Sequence, residues 1–323
     1  MTTVLVGGAT GTVGREVVRA LLAKRGVTVR ALVRDPSKAP AGTVAASGDL
    51  RDPASVARAL EGATSAFYVS PHEHDEEALA RTFVAACEER RVRLVFVGVH
   101  ADGATRVARA LKRFAYGRLL PHYRAKLRLS EGVRRSRTEA IVLMPTNFFQ
   151  NDELALGPLL REGRYVVPMG TRGINRVDVR DLGDAAARAL TDAALAPGAY
   201  PVVGPASLGG PASAAAWAGA LGREVTFADD LAAFAAFEAC AAEALSGRKL
   251  EDFVASHRVL RRFAMPTDPR DVAATTALLG RPPRAYEEYV ADRAAAVRCE
   301  VAPWPGRSPK TSSTTSRAES HSS

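Results

Sequence analysis

Three stretches of this sequence place residues at types and spacings that chemistry can use. The first, "VLVGGATGTVGREVV", sets Gly8, Gly11 and Gly14 three apart, after an apolar strand pattern and at the opening of a helical one. Glycine serves where a chain turns sharply, where backbone must approach a pyrophosphate, and where helix packs closely on strand. Free N–H groups at the helix start, with the positive end of its dipole, then hold phosphate charge. Gly8, Thr10, Gly11, Thr12, Val13 and Gly14 are therefore candidates to bind a dinucleotide. The second stretch, "ALVRDPSK", places Arg34 at the end of the next strand pattern, where an NAD-specific protein presents an acid to the ribose diol. A guanidinium there suits a 2′-phosphate and Lys38 adds charge, so NADP is expected; Asp35 keeps NAD open. In "GDL", Asp49 and Leu50 fit the adenine side, although such a triplet also serves as an ordinary turn before a helix. The third stretch, "LLPHYRAKLRL", puts His122 one helical turn before Lys126, with Tyr123 beside it.

The elements that must position these residues alternate from the start. Apolar strand patterns occupy residues 2–6, 27–33, 44–47, 66–69, 94–97 and 140–143, and helical stripes lie between them. Asp52 and Pro53 mark one helix start. This order predicts an α/β chain, a Rossmann doubly wound parallel sheet with a smaller C-terminal substrate lobe. Residues 1–147 are expected to form the NAD(P)-binding core, with sheet elements returning near 174–204. Residues 148–300 form mainly the substrate-binding lobe, and the Ser-, Thr- and Pro-rich 301–323 a disordered tail.

The composition, 47% hydrophobic and 24% charged, is that of an ordinary globular chain. No apolar run approaches the roughly 20 residues of a membrane span, and no basic leader precedes the first strand. Cys87, Cys240 and Cys299 are odd in number and far apart, so a cytoplasmic protein without membrane partner is expected. The formal charge of +9 is scattered through helices that also carry acids, so no nucleic-acid partner is expected. Among "SPHEHDEE", His72, His74 and Asp75 lie close together, yet the acids already suit a helix N-terminus, and no metal is assigned.

The chain resembles the NmrA-like branch of the atypical short-chain dehydrogenases/reductases. The resemblance is carried by "GATGTVG" (8–14), "VRDPSK" (33–38), "GDLRDP" (48–53) and "HYRAK" (122–126). "MPTNFFQN" (144–151), "RVDVRDLGDAAARAL" (176–190) and "GRPPRAYEEYV" (280–290) extend it, so that it covers roughly residues 2–297. It implies NAD(P)H-dependent quinone or ketone reductases on one side and catalytically silent redox sensors on the other. In standard short-chain enzymes a serine after the fifth strand and a tyrosine and lysine on the next helix polarise the carbonyl. Here "VFVGVH" has no serine, ending instead at His100, and His122 takes the tyrosine position. Lys126 is retained, to hold the nicotinamide ribose hydroxyls. His122 or His100 can donate to the oxygen that becomes negative as hydride arrives.

Strand ends supply the remaining candidates: Val69, Ser70 and Pro71 after the fourth strand, Pro145 and Asn147 after the sixth, all for the cofactor. His72, Tyr116, Phe148 and Phe149 are assigned to the substrate, with core packing an equal reading for the two phenylalanines. The expected function is NADPH-dependent reduction of a carbonyl or quinone on an aromatic or polycyclic small molecule, by a monomer or homodimer. The alternative is a silent NAD(P) redox sensor; an isomerase with tightly held cofactor is a weaker third.

Overall fold

A computed structural model describes residues 2–71, 73–101 and 105–300. The expected tail and His72 lie outside the described residues. The central sheet is built from β1 (Thr2–Gly7), β2 (Val27–Val33), β3 (Val44–Ser47), β4 (Ser65–Val69), β5 (Arg93–Val97), β6 (Ala140–Pro145) and a late strand, β10 (Gly198–Val202). Its order is β3-β2-β1-β4-β5-β6-β10, with every pairing parallel. Strand order reverses between β1 and β4, and the crevice beyond the carboxyl ends of those two strands is where such sheets bind ligands.

Alternation along each strand divides the apolar residues between two faces. Val4, Val6, Phe67, Val95 and Leu143 face one layer, formed by α1 (Thr12–Leu22), α7 (Val179–Thr191) and the end of α11 (Pro269–Leu279). Leu5, Ala66, Tyr68, Phe96 and Val142 face the other, formed by α2 (Pro53–Ala59), α3 (Glu76–Arg90) and α5 (Tyr123–Arg134). Asp52 accepts from the Ala54 amide and caps α2, with Pro53 in its first turn. Between β5 and α5 runs α4 (Arg106–Leu119), which Thr105 caps.

The remaining elements form a third core around Phe149, Trp217, Phe237, Tyr286 and Tyr289. They are β7 (Asn147–Phe148), α6 (Leu156–Glu162), β8 (Arg164–Tyr165), β9 (Ile174–Val177), β11 (Ser207–Leu208), α8 (Gly210–Leu221), β12 (Thr226–Phe227), α9 (Leu231–Ala244), α10 (Gly247–Leu260) and α12 (Tyr286–Glu300). β9 pairs with β7 and β11 rather than with the central sheet. Only β10, with α7 and α11 beside it, returns to the dinucleotide layers. At the centre of the lobe Arg176, fully buried, pairs with Asp152, whose carboxylate also takes the hydroxyls of Tyr165 and Tyr286.

Candidate active site

The glycine turn is shaped by backbone packing. Gly8 adopts φ +70°, a left-handed conformation that side chains rarely take. A Cβ on Gly14 would sit 2.0 Å from the Gly8 carbonyl oxygen, so α1 can approach the turn only with glycine there. Val69 closes the turn from β4, its Cγ1 only 2.9 Å from where a Gly8 Cβ would stand. Gly11 begins α1 without a side-chain cap, and the first turn carries no acid. Its amides are thus left to an external anion. Gly11 and Thr12 are exposed there, while Val13 and Gly14 are buried beneath.

Beside this turn lies a cleft of about 320 Å³ lined by Gly8, Thr10, Arg34, Lys38, Asp49, Leu50 and Pro71, all read from the sequence as cofactor contacts. Arg34 and Lys38 are exposed on its rim. Asp35, the residue that would suit a ribose diol, turns back to accept from the Ser37 amide at 3.0 Å and hydroxyl at 2.7 Å. Those bonds hold its carboxyl below the usual range. Its acceptors serve the turn at 36–38, and the cationic rim suits a phosphate on the ribose. Asp49 accepts from the Arg51 amide and its own amide meets Ser55 Oγ, which fixes that side of the cleft. Arg51 and Glu73 line it as well, paired at 2.5 Å; the sequence reading missed both. For Arg51 the available signal was its place directly after "GDL".

A second group of charges gathers where α10 meets α5 and the start of α3. Lys126 is half-buried; desolvation lowers its pKa, while Glu76 and Asp252 oppose the shift. Glu76 is itself buried, raised by desolvation against the pull of Lys126, and accepts from Ser70 Oγ at 3.2 Å. Ser70 is thus committed to Glu76.

His122 immediately precedes α5, its side chain 7% exposed. Its Nε2 lies 3.0 Å from Ser256 Oγ, and the Ser256 hydroxyl donates to the Asp252 carbonyl, so Nε2 carries the hydrogen. Its Nδ1 faces the Asp252 carboxylate at 3.7 Å. Burial lowers the imidazole pKa, Asp252 raises it, and Lys126 and Arg248 lower it again. Tyr123, one residue on, packs edge-to-face on the His122 ring and directs its hydroxyl to Ser256.

His100 is placed differently. Its Nε2 donates to Asp271 Oδ2 at 2.8 Å, and its Nδ1 meets Lys112 Nζ at 3.3 Å. Through these two contacts it ties α11 and α4 to the end of β5. Phe149, expected to wall the substrate, is instead fully buried in the lobe core, 5.0 Å from the Tyr286 ring. Phe148 is half-buried against the core of the first sheet face. Tyr116 reaches Met265 Sδ at 3.7 Å. Pro145 accepts the His100 amide through its carbonyl, and Asn147 Oδ1 is buried without a partner. His74 and Asp75 face Arg248 and Arg51, and the described residues contain no cluster of three metal-ligating side chains.

The fold and the phosphate cradle define a class, dinucleotide-binding α/β proteins of the Rossmann type. Residues 8–193 match the model of the NAD(P)H-binding family, and the chain belongs to that family. It is 29% identical over 303 residues to the NAD(P)H azoreductase of Xenophilus azovorans, covering 91% of this chain and 98% of the relative. It is 30% identical over 299 residues, with the same coverage of both, to the (4-alkanoyl-5-oxo-2,5-dihydrofuran-3-yl)methyl phosphate reductase of Streptomyces griseus. Among solved structures, the NADPH complex of an Escherichia coli NADPH-dependent quinone oxidoreductase superposes with a TM-score of 0.71 at 21% identity, over 90% of this chain and 99% of the other. The atypical short-chain dehydrogenase/reductase resemblance therefore stands, and NADP is the cofactor class the cleft fits.

Proposed function

We propose that the protein uses NADPH to reduce a carbonyl or quinone on an aromatic or polycyclic small molecule, without the serine–tyrosine pair of standard short-chain enzymes. The observation that carries this reading is Lys126 under the charges of Glu76 and Asp252, with His122 one turn before it. When bound, NADPH supplies a hydride from its nicotinamide ring. The two carboxylates oppose the lowering of the Lys126 pKa, and its ammonium would hold ribose hydroxyls. Asn147 Oδ1, buried without a partner, would accept from the carboxamide. His122 holds the proton that meets the developing negative charge on the substrate oxygen, and Asp252 steadies the charged imidazole. A general acid contributes typically about 10²–10⁴-fold, and positioning can contribute more. A quinone delocalises the charge itself and asks less of the acid. The names of the relatives, reductases of azo compounds, a butenolide phosphate and quinones, support a conjugated acceptor.

The test is NADPH oxidation followed by absorbance, with quinones, azo dyes and polycyclic ketones as acceptors. Turnover with a quinone is expected, and Lys126→Met should slow it by about 10²-fold. A protein that binds NADP⁺ and NADPH with different affinities and consumes neither across the panel is a redox sensor, and that result would overturn the reading.

A further inference from the structure

Arg51 stands where a second cation can reach the group that Arg34 meets. β2 and β3 run in parallel register with Val33 beside Ser47, and the Gly48 amide extends the pairing to the Val33 carbonyl at 3.0 Å. Arg34 therefore adjoins Gly48 across the two strand ends. A tight turn follows at once. The Asp52 amide donates to the Asp49 carbonyl and the Arg51 amide to Asp49 Oδ1, both at 2.9 Å, which fixes the Arg51 backbone beside the cleft. Arg34, Lys38 and Arg51 line one cleft of about 320 Å³, small for a ligand site, so a long side chain on either wall reaches a group held between them.

In the empty cleft Arg51 is engaged elsewhere. Its Nη2 lies 2.5 Å from Glu73 Oε2 and 3.0 Å from Asp75 Oδ2, and the three side chains are 49%, 45% and 42% exposed. Two carboxylates around one guanidinium leave surplus negative charge, and Glu73 itself lines the cleft that an anionic cofactor must enter. Exposed ion pairs of this kind add little to stability and open readily. Release costs the acids little as well. Asp75 is the N-cap residue of α3 and Glu73 lies just before it, where the positive end of the helix favours both. A phosphate monoester carries about −1.5 to −2 charge at neutral pH and offers a guanidinium paired acceptors, so it is a stronger partner than a carboxylate. We propose that Arg51 is a second determinant of cofactor choice, exchanging Glu73 and Asp75 for the 2′-phosphate of NADPH, with Glu73 as the internal competitor that the phosphate displaces. This rests on the reading of Arg34 as the 2′-phosphate residue: Arg34 and Lys38 seat the phosphate, and Arg51 closes on it once it is there. NADH offers only a hydroxyl at that position and leaves Arg51 with its acids.

Isothermal titration with NADPH, NADH and adenosine 2′,5′-bisphosphate tests this without turnover, on the full chain and on Arg51→Gln, Arg51→Lys and Glu73→Gln. Arg51→Gln should weaken NADPH and the bisphosphate by about tenfold or more and NADH by less than about twofold, and Arg51→Lys should recover part of the loss. Glu73→Gln should tighten both 2′-phosphorylated ligands by about threefold and leave NADH unchanged. Thermal midpoints should stay unchanged, because these side chains are exposed. Equal loss of NADPH and NADH affinity in Arg51→Gln would make the residue a plain part of the cleft wall and overturn the proposal. Unchanged or weaker NADPH binding by Glu73→Gln would overturn it too. Arg34→Ala separates the two readings: preference for NADPH lost in that variant but intact in Arg51→Gln overturns the role of Arg51 alone, whereas a wild-type chain that binds both nucleotides equally overturns both.

Discussion

At the scale of single residues, Arg34 and Asp252 are the most informative. Arg34 lies exposed on the cleft rim, and its guanidinium is the group we propose for the 2′-phosphate. Arg34→Ala should raise the dissociation constant for NADPH by about 10–100-fold and leave NADH nearly unchanged, measured by fluorescence titration. Asp252 faces His122 Nδ1 and raises its pKa against burial. Replacing it with Asn removes that support, so the imidazole loses its proton at lower pH. If charged His122 is the acid, the alkaline limb of the kcat profile should move to lower pH in Asp252→Asn. A profile that keeps its limb while Tm falls would make Asp252 purely structural. His257, fully buried among Phe237 and Phe253, has its pKa lowered to about 4 by burial. Its unfolded value is 6.5, so the native state binds fewer protons than the unfolded chain between those values. Stability is complete above pH 6.5 and should fall by about 3 kcal/mol as pH drops towards 4. His257→Leu should flatten that slope in urea titrations at several pH values.

At the scale of elements, the glycine turn and the lobe core carry different loads. Gly14→Ala forces a Cβ against the Gly8 carbonyl, so α1 must move off the sheet. The expected result is a loss of about 3 kcal/mol in urea unfolding together with loss of NADPH binding. Arg176→Met would leave the Asp152 carboxylate buried without its cation, at a cost of about 3–5 kcal/mol. Adding Asp152→Asn should recover part of it, because the uncompensated charge is gone. The elements were legible in the sequence where local pattern decides them. Alternation at Val4, Leu5 and Val6 separates two buried faces, and Asp52-Pro53 marks a helix start with chemistry that needs no distant partner. β10, α7 and α11 were harder to place, because β10 belongs to the sheet only through its pairing with β6, more than 50 residues away. The same reason hid the partners of both histidines. Asp252 and Ser256 stand one turn apart on α10, and Asp271 lies on α11; nothing within either helix announces that His122 and His100 face them. Phe149 was open in sequence because a ring after a strand end fits a pocket wall or a core equally well, and only the packing of the lobe decides it.

At the scale of the whole molecule, the sheet supplies one binding crevice and the lobe covers its neighbourhood with a charged cluster. Lys126, Glu76, His122, Asp252 and Arg248 come from both halves of the chain and share one cluster, so on the proposed role of Lys126 cofactor binding and lobe packing should be linked. A ligand that binds only the folded state at a hundred times its dissociation constant stabilises it by about 2.7 kcal/mol, which at this chain length corresponds to several degrees in Tm. The measurement that tests the account most directly is isothermal titration of the full chain with NADPH and with NADH, repeated on Arg34→Ala. The account predicts one NADPH per chain, NADH at least about tenfold weaker, and that difference abolished by the substitution. No heat with either nucleotide on folded protein, or equal affinity for both in the wild type, would contradict it.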